Sequence, residues 1–165
     1  MEKKLIQNAI RQLKDNQEGD NWLDESFRKK LEKVSDENAF VRPIPEVHSI
    51  AELVAHLLIW RVEGLKKLQG YKSEVTMDSP ENWRTNKQLK VIGWKKLKDN
   101  LFNTQVDLIT LLKNKSDSYL IGNDYVPGYS YQYLVDGWIH HDIYHLGQIG
   151  ITLKLLTRGC NLNSV

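Results

Sequence analysis

Three of the chain's five histidines lie within one short run, "WIHHDIYHLGQIG" at residues 138–150. Each residue turns an α-helix by about 100°, so residues four apart lie on one face. His141 and His145 have that spacing, whereas His140 points to nearly the opposite face. Two imidazoles at this spacing can bind one metal ion, as they do in H-E-x-x-H metalloproteases. We therefore predict that His141 and His145 are metal ligands and that His140 lies at the surface.

Most protein metal sites need a third ligand, and two other histidines are candidates. His56 lies within a predicted helix, beside its apolar face, whereas His48 precedes the predicted N-cap Ser49. We favour His56, which leaves at least one coordination position open, as in catalytic sites. Glu52 is a less favoured fourth ligand, because a capping box with Ser49 already explains it. Spacing alone leaves open the alternative that these histidines are hydrogen-bonded core residues.

Three further polar residues lie on or beside the apolar faces of the predicted helices. Asp142 occupies the place of the glutamate in H-E-x-x-H but is one methylene shorter, so it is a candidate general base or a carboxylate that orients a ligand histidine. Gln148 is a candidate for holding a ligand or substrate, or for hydrogen bonding between helices. Because buried charges need partners, we expect Arg61 to pair with Asp142 or to line a water-filled cleft with it. The alternative is that Arg61 extends to the rim.

The composition favours one soluble domain, residues 1–165, because 41% of the chain is hydrophobic and 27% is charged. No stretch approaches the ~18–20 apolar residues of a membrane span and no signal-peptide pattern is present, so we expect a cytoplasmic protein with no membrane partner. The single cysteine, Cys160, excludes an internal disulfide and a cysteine cluster for zinc. The net charge is only +2 and the lysines follow helical spacing, so we expect no nucleic-acid partner.

Apolar residues recur every three to four positions and strand patterns are hard to find, so we predict an all-α fold. Four amphipathic segments favour a four-helix bundle. The first, 5–31, is one broken helix or two consecutive ones, and the others cover 50–68, 86–113 and 130–156. We predict that "YLIGNDYV" is a loop. The 70–86 connection is long for a helical hairpin, so it can cross the bundle and make the second and third helices parallel.

Two segments together resemble the DinB/YfiT-like superfamily of metal-dependent enzymes: "SIAELVAHLLIW" at 49–60 and "HDIYHLGQIGIT" at 141–152. The resemblance covers nearly the whole chain. It implies a four-helix bundle with up-down-down-up topology and a divalent metal ion held by His56, His141 and His145. It also implies a homodimer, because family members often associate through helix surfaces. Zinc, nickel and iron all suit a site rich in nitrogen ligands, so the sequence does not choose among them.

The resemblance also bears on the chemistry. Biochemically known members include bacillithiol S-transferases and a mycothiol-dependent maleylpyruvate isomerase, which implies a low-molecular-weight thiol as cosubstrate. We therefore predict a divalent-metal-dependent enzyme, a thiol-dependent S-transferase acting on a small-molecule substrate. Two alternatives stay open: a metal-dependent hydrolase, and a non-catalytic metal-binding stress-response protein. An open coordination position favours an enzyme, and a fourth protein ligand such as Glu52 favours the structural role.

Overall fold

The structure, a computed structural model, describes residues 2–19 and 21–162, with side chains as far as Arg158, so the side chain of Cys160 lies outside the described residues. The elements in chain order are α1 (Lys4–Glu18), α2 (Phe27–Leu31), α3 (Asp36–Ala39), α4 (Ile50–Leu68), α5 (Asn86–Ile92), α6 (Trp94–Lys113), α7 (Asp117–Ile121), β1 (Asp124–Val126), β2 (Tyr129–Ser130) and α8 (Tyr131–Leu162). The long helices α1, α4, α6 and α8 make up most of the described chain, which confirms the all-α prediction. No helix in these ranges is long and apolar enough to cross a bilayer.

The ends of α4 are set by local hydrogen bonding that the sequence predicts. The side chain of Ser49 accepts a hydrogen bond from the Glu52 amide, and the Glu52 carboxylate accepts one from the Ser49 amide, which forms the predicted capping box. Gly70 follows the helix with φ +83°, a left-handed conformation that glycine adopts without steric cost. These two signals bracket the helix that contains His56.

The predicted third helix is two helices in the structure. Gly93 interrupts it with φ +89° and ψ 147°, so α5 ends at Ile92 and α6 begins at Trp94. A capping box between Thr85 and Gln88 starts α5. The prediction of one helix over 86–113 was wrong because apolar spacing continues across the break: Leu89 and Trp94 are both buried on either side of it.

Three other boundaries also differ from the predictions. The first segment, 5–31, forms two consecutive helices, α1 and α2, as one of the predicted alternatives has it, but Trp22 lies in the connection between them and is 98% exposed. The stretch predicted as a loop contains part of α7 and the strand β1, which pairs antiparallel with β2. Helix α8 continues through Gly159 to Leu162 instead of ending near Leu156.

The side-chain contacts fix the relative directions of the long helices. Contacts of α4 with α5 and α6 rise together in residue number: its N-cap Ser49 contacts Asn86 of α5, Arg61 contacts Leu101 of α6, and residues 62–69 line a groove with residues 104–114. Between α4 and α8 the residue numbers of the contacts run in opposite senses: His48, just before α4, contacts Thr152, and Arg61 contacts Asp142. The same holds between α1 and α6, where Lys3 contacts Lys113 and Leu13 contacts Gln105. Helices α4 and α6 are therefore parallel, and the other two pairs are antiparallel. The predicted up-down-down-up order requires these directions.

The buried apolar residues form two clusters, and a polar layer lies between them. One cluster contains the apolar residues of α4 between Ile50 and Leu57 together with Leu146 and Ile149 of α8, and the other contains Leu68 with apolar residues from the first turns of α8. Along α8, the residues between the two clusters include His141, Asp142 and His145. The bundle therefore places its chemistry-bearing side chains near the middle of its length.

The central contact of this layer is a buried ion pair between α4 and α8. The Arg61 guanidinium donates from Nη2 to Asp142 Oδ2 at 2.7 Å and from Nε to Asp142 Oδ1 at 3.2 Å. Its Nη1 donates to the Leu101 carbonyl at 3.0 Å, which ties α6 to the same group. Arg61 is 2% exposed and Asp142 is fully buried. The expected pairing is present, and Arg61 does not extend to the rim.

Replacing Arg61 with methionine should strongly destabilise the fold, because it leaves the Asp142 carboxylate buried without a partner. The expected loss is about 3–5 kcal/mol, measured by urea denaturation of metal-free protein. The double variant Arg61→Met/Asp142→Leu should recover most of that loss. Arg11→Met is the control, because it breaks an exposed pair with Asp15 that is worth about 0.5 kcal/mol. Equal stabilities of Arg61→Met and the wild type would contradict a structural role for the pair.

Candidate metal centre

Three histidine nitrogens from two antiparallel helices converge on one point. His56 Nε2 of α4 lies 3.1 Å from His141 Nε2 of α8, and His145 Nε2 lies 3.0 Å from the same atom. Together they form a group of potential metal ligands whose atoms all lie within 4.8 Å of one another. One residue of α4 therefore meets two residues of α8 that are one turn apart. The structure thus brings together all three predicted metal ligands.

Hydrogen bonds to the opposite ring nitrogens fix how two of these rings are protonated. His56 Nδ1 lies 3.1 Å from the main-chain carbonyl of Asn82, which only accepts, so Nδ1 bears the proton and donates. His145 Nδ1 donates in the same way to Gln148 Oε1 at 2.6 Å. The Nε2 atoms of both rings therefore bear lone pairs that face His141. Histidine ligands of metals are commonly oriented by such a bond on the other nitrogen.

The loop between α4 and α5 holds His56 through two adjacent residues. Besides its carbonyl, Asn82 uses its side chain, which accepts from Trp60 Nε1 at 2.8 Å and donates to the Met77 carbonyl at 2.8 Å. Trp83 stacks on the His56 ring, with ring centroids 4.0 Å apart and planes 9° from parallel. Sequence reasoning missed Asn82 and Trp83. The only available signal was an aromatic residue in the "DSPENW" turn.

Burial lowers the pKa of all three imidazoles below the ordinary value of 6.5, because removal from water disfavours the charged ring. The pKa of His141 falls to about 3, and the neighbouring charges of His145 and His56 add to the effect of burial. The pKa of His145 falls to about 4, chiefly through burial and then through the neighbouring charges of His56 and His48, against the hydrogen bond to Gln148. For His56, the hydrogen bond to Asn82 opposes burial without reversing the direction. The rings are therefore neutral at pH 7, which is the form that binds metal ions.

The arrangement fits a divalent metal ion. Three neutral imidazole nitrogens cannot all pair with one another, so a shared proton or a cation must lie between their lone pairs. Tetrahedral zinc with ligands at about 2.0–2.1 Å requires nitrogens about 3.3 Å apart, close to the observed 3.0 and 3.1 Å. The donor set also suits nickel and iron. His56, His141 and His145 could therefore hold such an ion with little rearrangement.

The other predicted site residues do not join the cluster. Both oxygens of Asp142 are bonded to Arg61, and the Glu52 carboxylate is bonded to Arg42 and to the Ser49 amide. Among the described residues, neither carboxylate belongs to the group of converging ligand atoms. Gln148 contacts the cluster only through His145 Nδ1.

The two remaining histidines also stay outside the cluster. His140 is exposed, as helical phase predicts. His48 stacks on the face of Trp83 at 3.9 Å. Because Trp83 also stacks on His56, its indole lies between the two imidazoles.

Two of the three histidines, His56 and His141, line a cavity of about 340 Å³. Its other walls come from α4, α8, the β1 strand and the loop after α4. A larger groove of about 650 Å³ runs along α4 and α6, but none of its described lining residues is a histidine. The smaller cavity is therefore the one that gives access to the proposed metal position.

Comparison with known proteins decides the family. The profile of the DinB superfamily matches residues 21–149, which include the three converging histidines. The chain belongs to the DinB superfamily. No curated protein sequence matches it.

A solved structure shares the fold of this DinB-superfamily chain. It is the crystal structure of the colibactin self-resistance protein ClbS in complex with a double-stranded DNA, with a TM-score of 0.67 and 16% sequence identity. The alignment covers 90% of this chain and 95% of ClbS. At that identity, the likeness establishes the shared fold.

The ClbS complex corrects one expectation from the sequence. A net charge of +2 and lysines at helical spacing predict no nucleic-acid partner. A protein of the same fold has been crystallised with double-stranded DNA, so that exclusion is wrong. The sum of the charges over a whole chain does not describe any one of its faces.

Zinc binding to this DinB-superfamily protein should release few protons, because the lowered pKa values leave the three imidazoles already unprotonated. At pH 6, three ordinary histidines would together release about two protons, whereas we expect fewer than about one. Calorimetric titration of metal-free protein in buffers of different ionisation enthalpy measures this number. Release of about two protons would show that burial does not lower these pKa values.

Proposed function

We propose that the protein is a divalent-metal-dependent enzyme, a thiol-dependent S-transferase. In such a reaction, a thiol loses its proton and its sulfur forms a bond to an electrophilic carbon of the second substrate. The leaving group departs with the bonding electron pair and takes up a proton. The observation that supports this most is the convergence of three neutral histidine Nε2 atoms at the wall of a cavity.

The residues at this site have three separate roles: holding the metal ion, orienting the histidine rings and joining the two helices. His56, His141 and His145 would hold zinc, nickel or iron, and a metal ion bound there supplies Lewis acidity that lowers the pKa of a coordinated thiol or water. Gln148 and Asn82 orient two of the rings through their Nδ1 protons. Asp142 acts through Arg61, by joining α8 to α4 beside His141.

Two features favour a transferase over a hydrolase. A metal-dependent hydrolase needs a base beside the attacking water. The nearby carboxylates of Asp142 and Glu52 are already bonded to Arg61 and Arg42, so neither is free to act as that base. A thiol is far more acidic than water and needs less help to ionise. A hydrolase therefore remains the weaker alternative.

The environment of Glu52 also counts against a non-catalytic metal site. A structural site is usually closed by four protein ligands. Glu52, the sequence candidate for the fourth ligand, bonds to Arg42 at 2.9 and 3.0 Å instead. With three ligands among the described residues, at least one position stays open to a substrate. The open position supports an enzyme.

His141→Ala should abolish stoichiometric metal binding, because His141 Nε2 is the atom that both other rings contact. Elemental analysis of the purified protein measures the metal content and identifies the metal. His140→Ala is a matched control, since His140 is the adjacent residue but is exposed. Full metal content in His141→Ala, or equal losses in both variants, would contradict the assignment.

The thiol part of the proposal has its own measurement. Adding dithiothreitol to cobalt-substituted protein should produce sulfur-to-cobalt charge-transfer absorption and raise the melting temperature. The metal-free protein should show neither change. If the thiol leaves the cobalt spectrum unchanged while His141→Ala still loses its metal, the metal site stands and the transferase proposal fails.

We propose DNA binding as a second candidate function. Residues 84–98, which include α5 and the start of α6 and are called the elbow here, contain six basic residues and no acidic residue: Arg84, Lys87, Lys90, Lys95, Lys96 and Lys98. Lys87, Lys90, Lys95 and Lys96 are exposed. Such a cluster attracts phosphates whatever the net charge of the chain. The shared fold with ClbS, which was crystallised with double-stranded DNA, supports testing it.

Neutralising two lysines of the elbow should weaken DNA binding and its salt dependence together. For Lys87→Gln/Lys96→Gln, the slope of log K against log salt should fall by about two, one for each lost phosphate contact. Fluorescence anisotropy with a labelled duplex measures both quantities. Lys14→Gln/Lys113→Gln removes the same charge outside the elbow, in a groove between α1 and α6, and should leave the slope unchanged. Equal slopes for both variants would contradict the elbow as the interface.

A further inference from the structure

We propose that the cavity beside the histidines binds an uncharged aromatic compound of about two fused rings. This inference rests on the proposed function for its role, since the compound would be the electrophilic second substrate. The binding site itself is argued from the cavity walls. Among its described lining residues there is no aspartate, glutamate, lysine or arginine. A charged ligand would therefore lose its hydration without gaining an ionic partner there.

The walls are mainly aromatic. The lining residues are Trp60, Trp138, Tyr125, Tyr133, Met77, Leu134, Gly137, His56 and His141. Indole and phenol rings offer flat surfaces on which another ring can stack, and methionine sulfur makes favourable contacts with aromatic rings. Five of the nine lining residues are tryptophan, tyrosine or methionine. The composition of these walls favours an aromatic ligand.

The tryptophan, tyrosine and methionine residues of the cavity wall are Trp60, Trp138, Tyr125, Tyr133 and Met77. Two of these rings are held in place by the fold. Trp60 Nε1 donates to Asn82 Oδ1 at 2.8 Å. The Trp138 ring packs against Gly64, where an added Cβ would lie 3.2 Å from the indole. These walls are therefore preformed, which lowers the entropic cost of binding a rigid ligand.

The size and the opening of the cavity set the size of the ligand. A buried cavity of about 150 Å³ binds one benzene molecule, so 340 Å³ leaves room for about two rings. Met77 is 70% exposed and Tyr133 is 58% exposed, so these two side chains form the solvent-facing side of the cavity. A ligand entering past them reaches His56 and His141 on the inner wall.

Gly137 offers a way to fill the cavity without disturbing the fold. It lies on α8 and lines the cavity, and a Cβ built on it meets no atom within 4 Å. Gly147 lies on the same helix, also meets no atom within 4 Å, and does not line the cavity. Both glycines lie in a helix interior, where leucine is more favourable than glycine. Gly137→Leu and Gly147→Leu are therefore a matched pair, and Gly137→Phe and Gly147→Phe form a bulkier one.

Two probes with the same ring system test the preference for an uncharged ligand: 2-naphthol and 2-naphthalenesulfonate. Isothermal titration of zinc-loaded protein with dithiothreitol present, so that a thiolate rather than a probe occupies the open metal position, should show 2-naphthol binding at least about tenfold more tightly than the sulfonate. Gly137→Leu should weaken 2-naphthol binding by about tenfold and Gly137→Phe by more, because the added side chain occupies the cavity. The two Gly147 variants should bind like the wild type. Equal affinity for both probes, or equal effects at positions 137 and 147, would overturn the proposal.

The same titration on metal-free protein separates this inference from the proposed function. Since the walls make the site, 2-naphthol should still bind without metal and should still be sensitive to Gly137→Leu. If His141→Ala keeps its metal while the Gly137 variants lose 2-naphthol, the metal assignment fails and the aromatic site stands. If the metal assignment holds and 2-naphthol does not bind either form, the aromatic site is overturned.

Discussion

The ion pair between Arg61 and Asp142 fixes the register of α4 against α8, and the three histidines depend on that register. Asp142 is the residue after His141, and Arg61 lies five residues after His56 on the antiparallel helix. A slip of one helical turn would move the helices by about 5.4 Å and separate nitrogens that now lie 3.0 and 3.1 Å apart. Well-packed apolar residues could stabilise the bundle as well, but they would fix the register less strictly.

The ligand set could be predicted from the sequence because helical phase determines it. His141 and His145 share a face whatever surrounds the helix. His56 lies in a second helix, whose N-cap Ser49 can be recognised from the sequence. The contacts of Asn82 and Trp83 could not be predicted, because they come from an irregular loop in which no periodicity relates a residue to its neighbours in space. The same limit explains the β1–β2 hairpin, whose strands are too short for an alternating pattern to be visible.

The distribution of charge shows a similar limit. A net charge of +2 suggests an electrostatically unremarkable surface, yet the α5–α6 elbow contains six basic residues without an acidic one between them. The break at Gly93, which apolar spacing conceals, gives the elbow its shape. Long-range fields depend on where charges lie rather than on their sum, and folding decides where they lie.

Electrostatics at the histidine cluster also bears on the choice of substrate. A divalent ion would bring two positive charges to a site whose three protein ligands are neutral and whose nearby carboxylates are bonded to Arg61 and Arg42. Uncompensated charge in a partly buried site is costly, so the remaining position favours an anionic ligand. A thiolate supplies that charge more readily than hydroxide does, because a thiol is a stronger acid than water and loses its proton at a lower free-energy cost. The uncharged cavity would then accept a neutral second substrate, since the charge at the site would already be partly balanced.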